Sequence, residues 1–152
     1  MGPVSHMITE TDWYTIKYIW KDYLWPIRAS AIEPHSAMLL DGTFEIKNFD
    51  NKATFLVYHE NGSIAGCNSG HLCNDNSYRS RGLYVFPQYR KKGIGKKLLE
   101  YTINIARKEN ADLVWSYPRY ESWNTYKSAG FSLVSDWAMS ETGVNAYCVI
   151  KF

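Results

Sequence analysis

Leu83-Tyr84-Val85-Phe86-Pro87-Gln88-Tyr89-Arg90-Lys91-Lys92-Gly93-Ile94-Gly95-Lys96-Lys97-Leu98-Leu99 is the stretch on which the fold turns. Its apolar run, 83–86, halts at Pro87, which has no N–H for a strand interior. A basic turn with two glycines follows. Ile94, Leu98, Thr102, Ile105 and Ala106 then recur with the spacing of an amphipathic helix that reaches about Glu109. A strand thus runs into a glycine-bearing turn, and the turn opens a helix. The first turn of any helix carries N–H groups without intrahelical acceptors and the positive end of its dipole. Residues 90–96 therefore aim several donors at one small volume, an anion site. Gly93 and Gly95 let a phosphate approach the backbone and permit positive φ, and Arg90, Lys91, Lys92, Lys96 and Lys97 surround it with charge. From these residues alone the site is either a phosphate or pyrophosphate binder or a solvated basic helix start. A dinucleotide fingerprint fails because Leu98 stands at its third glycine, and the Walker A spacing is absent.

Working outward, Ala53–Tyr58 and Ser63–Leu72 flank Glu60-Asn61-Gly62 and read as a hairpin. Upstream, residues 11–25 place Trp13, Ile16, Trp20, Tyr23 and Leu24 at helical spacing, with Thr9 or Thr11 as N-cap and Pro26 at the end. Residues 27–50 read as irregular, with a helix within 30–40. After a loop at 74–77, a strand is expected over Arg81–Phe86. Leu113–Ser116 is a short buried strand, 121–129 a helix closed by Gly130, and Phe131–Met139 and Asn145–Lys151 a last strand pair joined near Glu141. This order predicts an α/β (α+β) domain whose mixed, mostly antiparallel central sheet is flanked by helices, and not a doubly wound one.

The 152 residues suit one domain. Residues 1–6 read as an expression-tag remnant, leaving 7–152 as the domain. A 45% hydrophobic, 21% charged composition excludes wholesale disorder. Lys plus Arg exceed Asp plus Glu by only 17 − 15 = +2, so bulk charge makes no case for nucleic acid or a membrane surface. No apolar run of about 18 residues exists to span a bilayer. Three cysteines, odd in number and never Cys-x-x-Cys, read as reduced thiols of a cytoplasmic protein.

Arg90-x-x-Gly93-x-Gly95, preceded by an apolar strand and Pro87, resembles the acyl-CoA-binding motif of the GCN5-related N-acetyltransferase (GNAT) family. Downstream, Tyr126-Lys127-Ser128-Ala129-Gly130-Phe131 is similar to that family's Tyr-x-x-x-Gly-Phe segment. The two motifs keep the family's order and approximate spacing, and the resemblance spans roughly residues 53–137. It implies the family's fold and acetyl-CoA as cosubstrate, with no metal. It also implies that the amides of 91–96, with Arg90 at the start of the turn, hold the CoA pyrophosphate. The preceding strand would be bulged and splayed from the next parallel one, with the Val85 N–H bonding the thioester carbonyl. The pantetheine arm would lie between the strands at 83–86 and 113–116. The implied coenzyme set is Tyr84, Val85, Arg90, Lys91, Lys92, Gly93, Ile94, Gly95 and Lys96. The implied acceptor is a small-molecule or peptide amine, and the implied assembly a homodimer.

Acetyl transfer to an amine needs an oxyanion donor, loss of an amine proton, and a proton donor for the leaving thiolate. Tyr126 matches the family's general acid, with packing of its helix as the alternative. The family often places a glutamate on the motif strand, but residues 81–86 offer none. His71, which titrates in the right range, is then the expected base, with Glu33, Asp75, Glu121 or a water chain as alternatives. Where the family often has an asparagine seven residues before the tyrosine, this chain has Arg119, and Asn124 lies off the pattern. Cys67-x-x-x-His71-x-Cys73 lacks a fourth zinc ligand and reads as packing. The acceptor pocket is expected from 24–40, 73–80 and 139–146. Trp25, Tyr78, Arg79, Arg81, Tyr84, Trp115 and Trp123 are its candidate walls, suiting a flat or carboxylate-bearing acceptor. Two other functions stay open from sequence. One is a non-catalytic CoA-binding regulator; the other is a nucleic-acid module using the Arg90–Lys97 run.

Overall fold

The structure, a computed structural model, describes residues 7–152, so the tag expectation for 1–6 lies outside the described residues. In chain order the elements are β1 (Ile8–Thr11), α1 (Trp13–Ile19), β2 (Ala53–Glu60), β3 (Ser63–Leu72), β4 (Ser77–Val85) and α2 (Ile94–Lys108). They continue with β5 (Leu113–Ser116), α3 (Trp123–Ser128), β6 (Ser132–Leu133), β7 (Ala138–Ser140), β8 (Gly143–Asn145) and β9 (Cys148–Lys151). Seven strands form one sheet in the order β1-β2-β3-β4-β5-β9-β6, and β7 and β8 form a separate hairpin. Every pairing in the large sheet is antiparallel except β4 with β5.

Strand alternation divides the core. Along β2, Leu56 and Tyr58 turn toward Ile94 and Leu98 of α2, while Phe55 and Val57 pack with Ile16, Ile19 and Trp20. Toward β5, α2 and α3 bury Leu99, Ile103, Ala106 and Tyr126 with Val114, Phe131 and Cys148.

Five features depart from the sequence expectation. Thr9 and Thr11 lie in β1, paired with Val57 and Phe55, and it is Asp12 that caps α1 by accepting from the Thr15 N–H at 2.9 Å. The helix then changes pitch: Trp20–Leu24 form a π-helical turn, with the Trp25 N–H bonding the Trp20 carbonyl at 2.7 Å. Residues 30–40 hold no helix. Their backbone is claimed instead by distant groups, such as the buried Asn48, which donates to the Ser36 carbonyl and accepts from the Asn74 N–H. β4 begins at Ser77, because Ser77, Arg79 and Ser80 are buried polar residues that hide the strand from a hydrophobicity pattern. Finally, 131–139 splits between β6 and β7.

One irregularity positions the site. β4 and β5 pair only at Ser77–Leu113, Tyr78–Val114 and Arg79–Trp115. The Ser116 hydroxyl then bonds the Ser80 carbonyl at 2.8 Å, and past that link β4 runs on without β5. Within β4 the register against β3 steps from Ser69–Arg81 to Cys67–Tyr84, so β4 carries one extra residue there. Gly82 sits in that bulge at φ +80°, and the Trp20 indole N–H donates to its carbonyl at 2.8 Å. A Cβ on Gly82 would come within 2.2 Å of the indole ring, so only glycine fits.

Candidate active site

At the start of α2, Gly93 takes a left-handed conformation, φ 80°, ψ 11°, and no side chain caps the helix. The Lys97 N–H to Gly93 carbonyl bond, 3.1 Å, opens the helical ladder. Among the described residues, the amides of 91–96 have no backbone acceptor. Lys91, at φ 64°, folds the turn so that these donors face a cleft of about 760 Å³ between the ends of β4, α2 and α3. Gly95 borders the cleft and has a second reason to be glycine. A Cβ there would lie 2.9 Å from Thr125 of α3, so glycine lets the two helices close around the cleft.

The outer edge of β4 completes this cleft. The Phe86 N–H donates to Ala65 of β3 at 2.9 Å, so by antiparallel alternation the polar groups of Val85 face the opposite way, into the gap left by β5. The Val85 carbonyl accepts from Arg90 Nε at 2.7 Å, and its N–H is left facing the gap. Tyr84, Val85, Arg90, Lys91, Gly93, Ile94, Gly95 and Lys96 all border the cleft. Ile94 does so only through its backbone, since its side chain is buried among Leu56, Ala65 and Leu98. The Arg90 guanidinium turns back toward β4, 5.4 Å from the Tyr84 ring. Lys92 is outside the cleft and pairs with Glu60 at 3.4 Å.

A second cavity, of about 520 Å³, opens on the α1 side of the same gap. Leu24, Leu83, Arg119, Ser122 and Thr142 border both spaces, so the two adjoin. Tyr126 reaches this second cavity from α3, 4% exposed, with its ring 5.5 Å from Phe131. Burial pushes its phenol above the usual value near 10, against the opposing effect of the Ser116 hydroxyl, so it holds its proton at neutral pH. Of the expected acceptor walls, Trp25, Arg79 and Arg81 line the cavity. Tyr84 borders the first cleft, Tyr78 and Trp115 are buried in the core, and Trp123 packs near Trp137.

His71 is not the base that sequence reasoning expected. It is 1% exposed and borders neither space. Its Nε2 accepts from the Ser36 N–H at 3.2 Å, which leaves the proton on Nδ1, facing the Leu72 carbonyl at 3.2 Å. Burial lowers its pKa to about 3, with Arg79, His35 and Arg81 adding to the shift. The ring is a neutral structural bridge. Asp75 is equally committed, accepting from the Ser77 N–H and hydroxyl at 3.0 and 2.6 Å. Glu33 lines the second cavity and Glu121 the first. Cys67 and Cys73 pack in separate clusters, and burial raises both thiols, Cys67 to about 12. Among the described residues no three His, Cys, Asp or Glu side chains gather as a metal site, and no helix is long and apolar enough to cross a membrane.

Sequence reasoning missed Glu141. Its carboxylate accepts from the Ser30 N–H at 2.7 Å and hydroxyl at 2.8 Å, tying the β7–β8 hairpin to the N-terminal loop. A contact spanning 111 positions leaves no local signal.

Comparison with solved structures finds the same fold. An acetyltransferase of the GNAT family from Staphylococcus aureus Mu50 superposes over 95% of this chain and 97% of its own, with a TM-score of 0.66 at 15% identity. An N-acetyltransferase from Thermoplasma acidophilum in complex with coenzyme A matches 70% of this chain and 65% of its own, at TM-score 0.57 and 19% identity. A Bacillus subtilis acetyltransferase in complex with CoA matches 66% and 77%, at TM-score 0.56 and 14% identity. Among curated proteins, none matches by sequence. The family pattern itself extends over residues 13–131, from α1 to the residue before β6. With that match across most of its length, the chain belongs to the acetyltransferase (GNAT) family.

Proposed function

We propose that this protein is an acetyl-CoA-dependent N-acetyltransferase that passes the acetyl group directly to a primary amine. One observation carries the reading: the unpaired amides of Lys91 and of 93–96 and the outward N–H of Val85 border one cleft, which shares lining residues with a second cavity holding Tyr126. The amides suit a diphosphate. The Val85 N–H suits a carbonyl oxygen on which negative charge develops. Past Arg79 and Trp115, β4 has no β5 partner, which suits an extended arm taking the place of a strand. Coenzyme A in the Thermoplasma acidophilum and Bacillus subtilis structures supports acetyl-CoA as the cosubstrate.

In this reading Tyr126 keeps its phenolic proton for the departing thiolate, whose free pKa is about 8.5. The amine loses its proton through water or to Glu33, which lines the same cavity, since the buried imidazole of His71 is committed to Ser36 and Leu72. The domain comprises residues 7–152, and a homodimer is the expected assembly, checked by analytical ultracentrifugation.

The test is a pair of measurements. Acetyl-CoA raises the thermal midpoint of the protein, and thiol is released when a panel of amines is added. A midpoint that stays put at saturating acetyl-CoA overturns the reading. A raised midpoint with no thiol release across amino acids, polyamines, aminoglycosides, peptides and modified nucleosides favours a CoA-binding regulator instead.

A further inference from the structure

The acceptor cavity holds something that transfer to a bare amine does not require. Arg79 and Arg81, two residues apart on β4, are 7% and 4% exposed and both line it. Each guanidinium carries five N–H donors. Arg79 lies 4.6 Å from the Trp115 ring and donates from Nη1 to the Ser36 hydroxyl at 2.7 Å, while its buried Nε has no partner. Arg81 stands 4.9 Å from Trp20 and 5.4 Å from Trp25, and donates from Nη1 to the Glu33 backbone carbonyl at 2.7 Å. The aromatic rings take the guanidinium faces, so the remaining donors lie along the in-plane edges.

Neither cation is neutralised from within. The ion pair found among the described residues is Lys92 with Glu60, on the far side of the turn. Glu33 and Glu141 line the same cavity, and the Glu33 charge favours the Arg81 cation at a distance. Neither carboxylate forms an ion pair with Arg79 or Arg81: Glu33 gives Arg81 its backbone carbonyl, and Glu141 bonds Ser30. Arg28, 4.8 Å from the Trp25 ring, and Arg119 add further positive charge to the same cavity. Burial pulls both β4 arginines below their usual value, Arg79 to about 10, yet arginine keeps its charge at neutral pH. Two buried cations with no carboxylate in contact are costly to maintain. A ligand anion is the partner that offsets that cost.

We propose that Arg79 and Arg81 seat a carboxylate of the acceptor, so that the substrate is an amine bearing a carboxylate, of the amino-acid class, held with its amine toward Tyr126. The planar fork of an in-plane guanidinium matches the planar carboxylate, which it can bind through two parallel hydrogen bonds. The inference rests on the reading of the two spaces as an acetyl-transfer site, and it adds what the acceptor must carry.

The test uses matched acceptors that share an amine and a carbon skeleton: amino acids, their carboxamides, the decarboxylated amines and an aminoalkyl phosphate, each with saturating acetyl-CoA. The carboxylates are expected to exceed their amides and decarboxylated partners by at least about 100-fold in kcat/KM, because removing a ligand group leaves buried donors unpaired. Arg81→Gln and Arg79→Lys are expected to raise the carboxylate KM by roughly tenfold or more. The acetyl-CoA KM and the midpoint shift with acetyl-CoA should stay within about twofold, which shows that the variants fold. Equal turnover of amides or bare amines overturns the proposal while the transferase reading stands. So does preference for the phosphate, or an unmoved KM in both variants.

Should no acceptor react, N-acetyl amino acids are titrated directly against the protein. A midpoint shift that Arg79→Lys removes supports the anchor even if acetyl-CoA fails to bind and the transferase reading falls. No shift with any carboxylate overturns it.

Discussion

The two halves of the site are made of different material. The proposed coenzyme side is almost all backbone: the amides of Lys91 and of 93–96 and the Val85 N–H, drawn from one continuous stretch of chain. The acceptor side is almost all side chain: Trp25, Arg79, Arg81, Arg119, Tyr126 and the Ser30–Glu141 clamp, gathered from segments far apart in sequence. A backbone site tolerates most substitutions and fails only where φ or close packing demands glycine. A side-chain site is retuned one residue at a time. In the proposed reading the chemistry held constant sits on the first surface, and the choice of acceptor on the second.

The sharpest way to break this division is Gly95→Glu. Its Cβ meets Thr125 and its carboxylate enters the anion cradle, so the midpoint shift with acetyl-CoA should vanish, a loss of several kcal/mol in binding. Gly82→Ala should damage both halves at once, since it strains a positive φ and strikes Trp20. A cost of roughly 3 kcal/mol would lower the thermal midpoint by about 6–12 °C, read by calorimetry. Tyr126→Phe should lower kcat by about 100-fold, or about 2.7 kcal/mol, with the acetyl-CoA KM nearly unchanged. An unchanged kcat would return Tyr126 to the packing role that its contact with Phe131 also allows.

The smallest effect concerns His71. Its folded pKa, about 3, lies below its unfolded value near 6.5, so the unfolded chain takes up a proton that the folded one refuses. The stability this contributes is fully present above pH 6.5 and is lost as pH falls toward 3, at about 1.4 kcal/mol per pH unit. The lowered carboxylates Asp12, Asp41 and Glu141 act only below their usual range near 4, so His71→Gln should flatten the decline between pH 6.5 and 5. The same variant should leave the pH profile of kcat/KM in place. A lost inflection there would restore His71 as a base.

What the sequence disclosed follows the same division. The strand, turn and helix from 83 to 108 could be read because their periodicity and glycines are local, and so could the hairpin at Asn61-Gly62. The second motif pointed to Tyr126 for the same reason. His71 misled because its titration range says nothing of its surroundings, and the Ser36 N–H that occupies it lies 35 positions away. Residues 30–40 misled because their backbone groups are taken by distant side chains, Ser30 by Glu141, Glu33 by Arg81 and Ser36 by His71 and Asn48, and not by a helical ladder. The buried Arg79 and Arg81 were visible as candidates, but their lack of carboxylate partners was not. That depends on where Glu33 and Glu141 spend their oxygens.

The early parting of β4 from β5 has a consequence for handling the protein. A strand whose neighbour stops partway is a sheet margin placed at the centre of the molecule, and margins recruit other chains. Any extended peptide could lay itself along that seam, so purified material should clump there first. Coenzyme added to the buffer would shield it by filling the same line of hydrogen bonds.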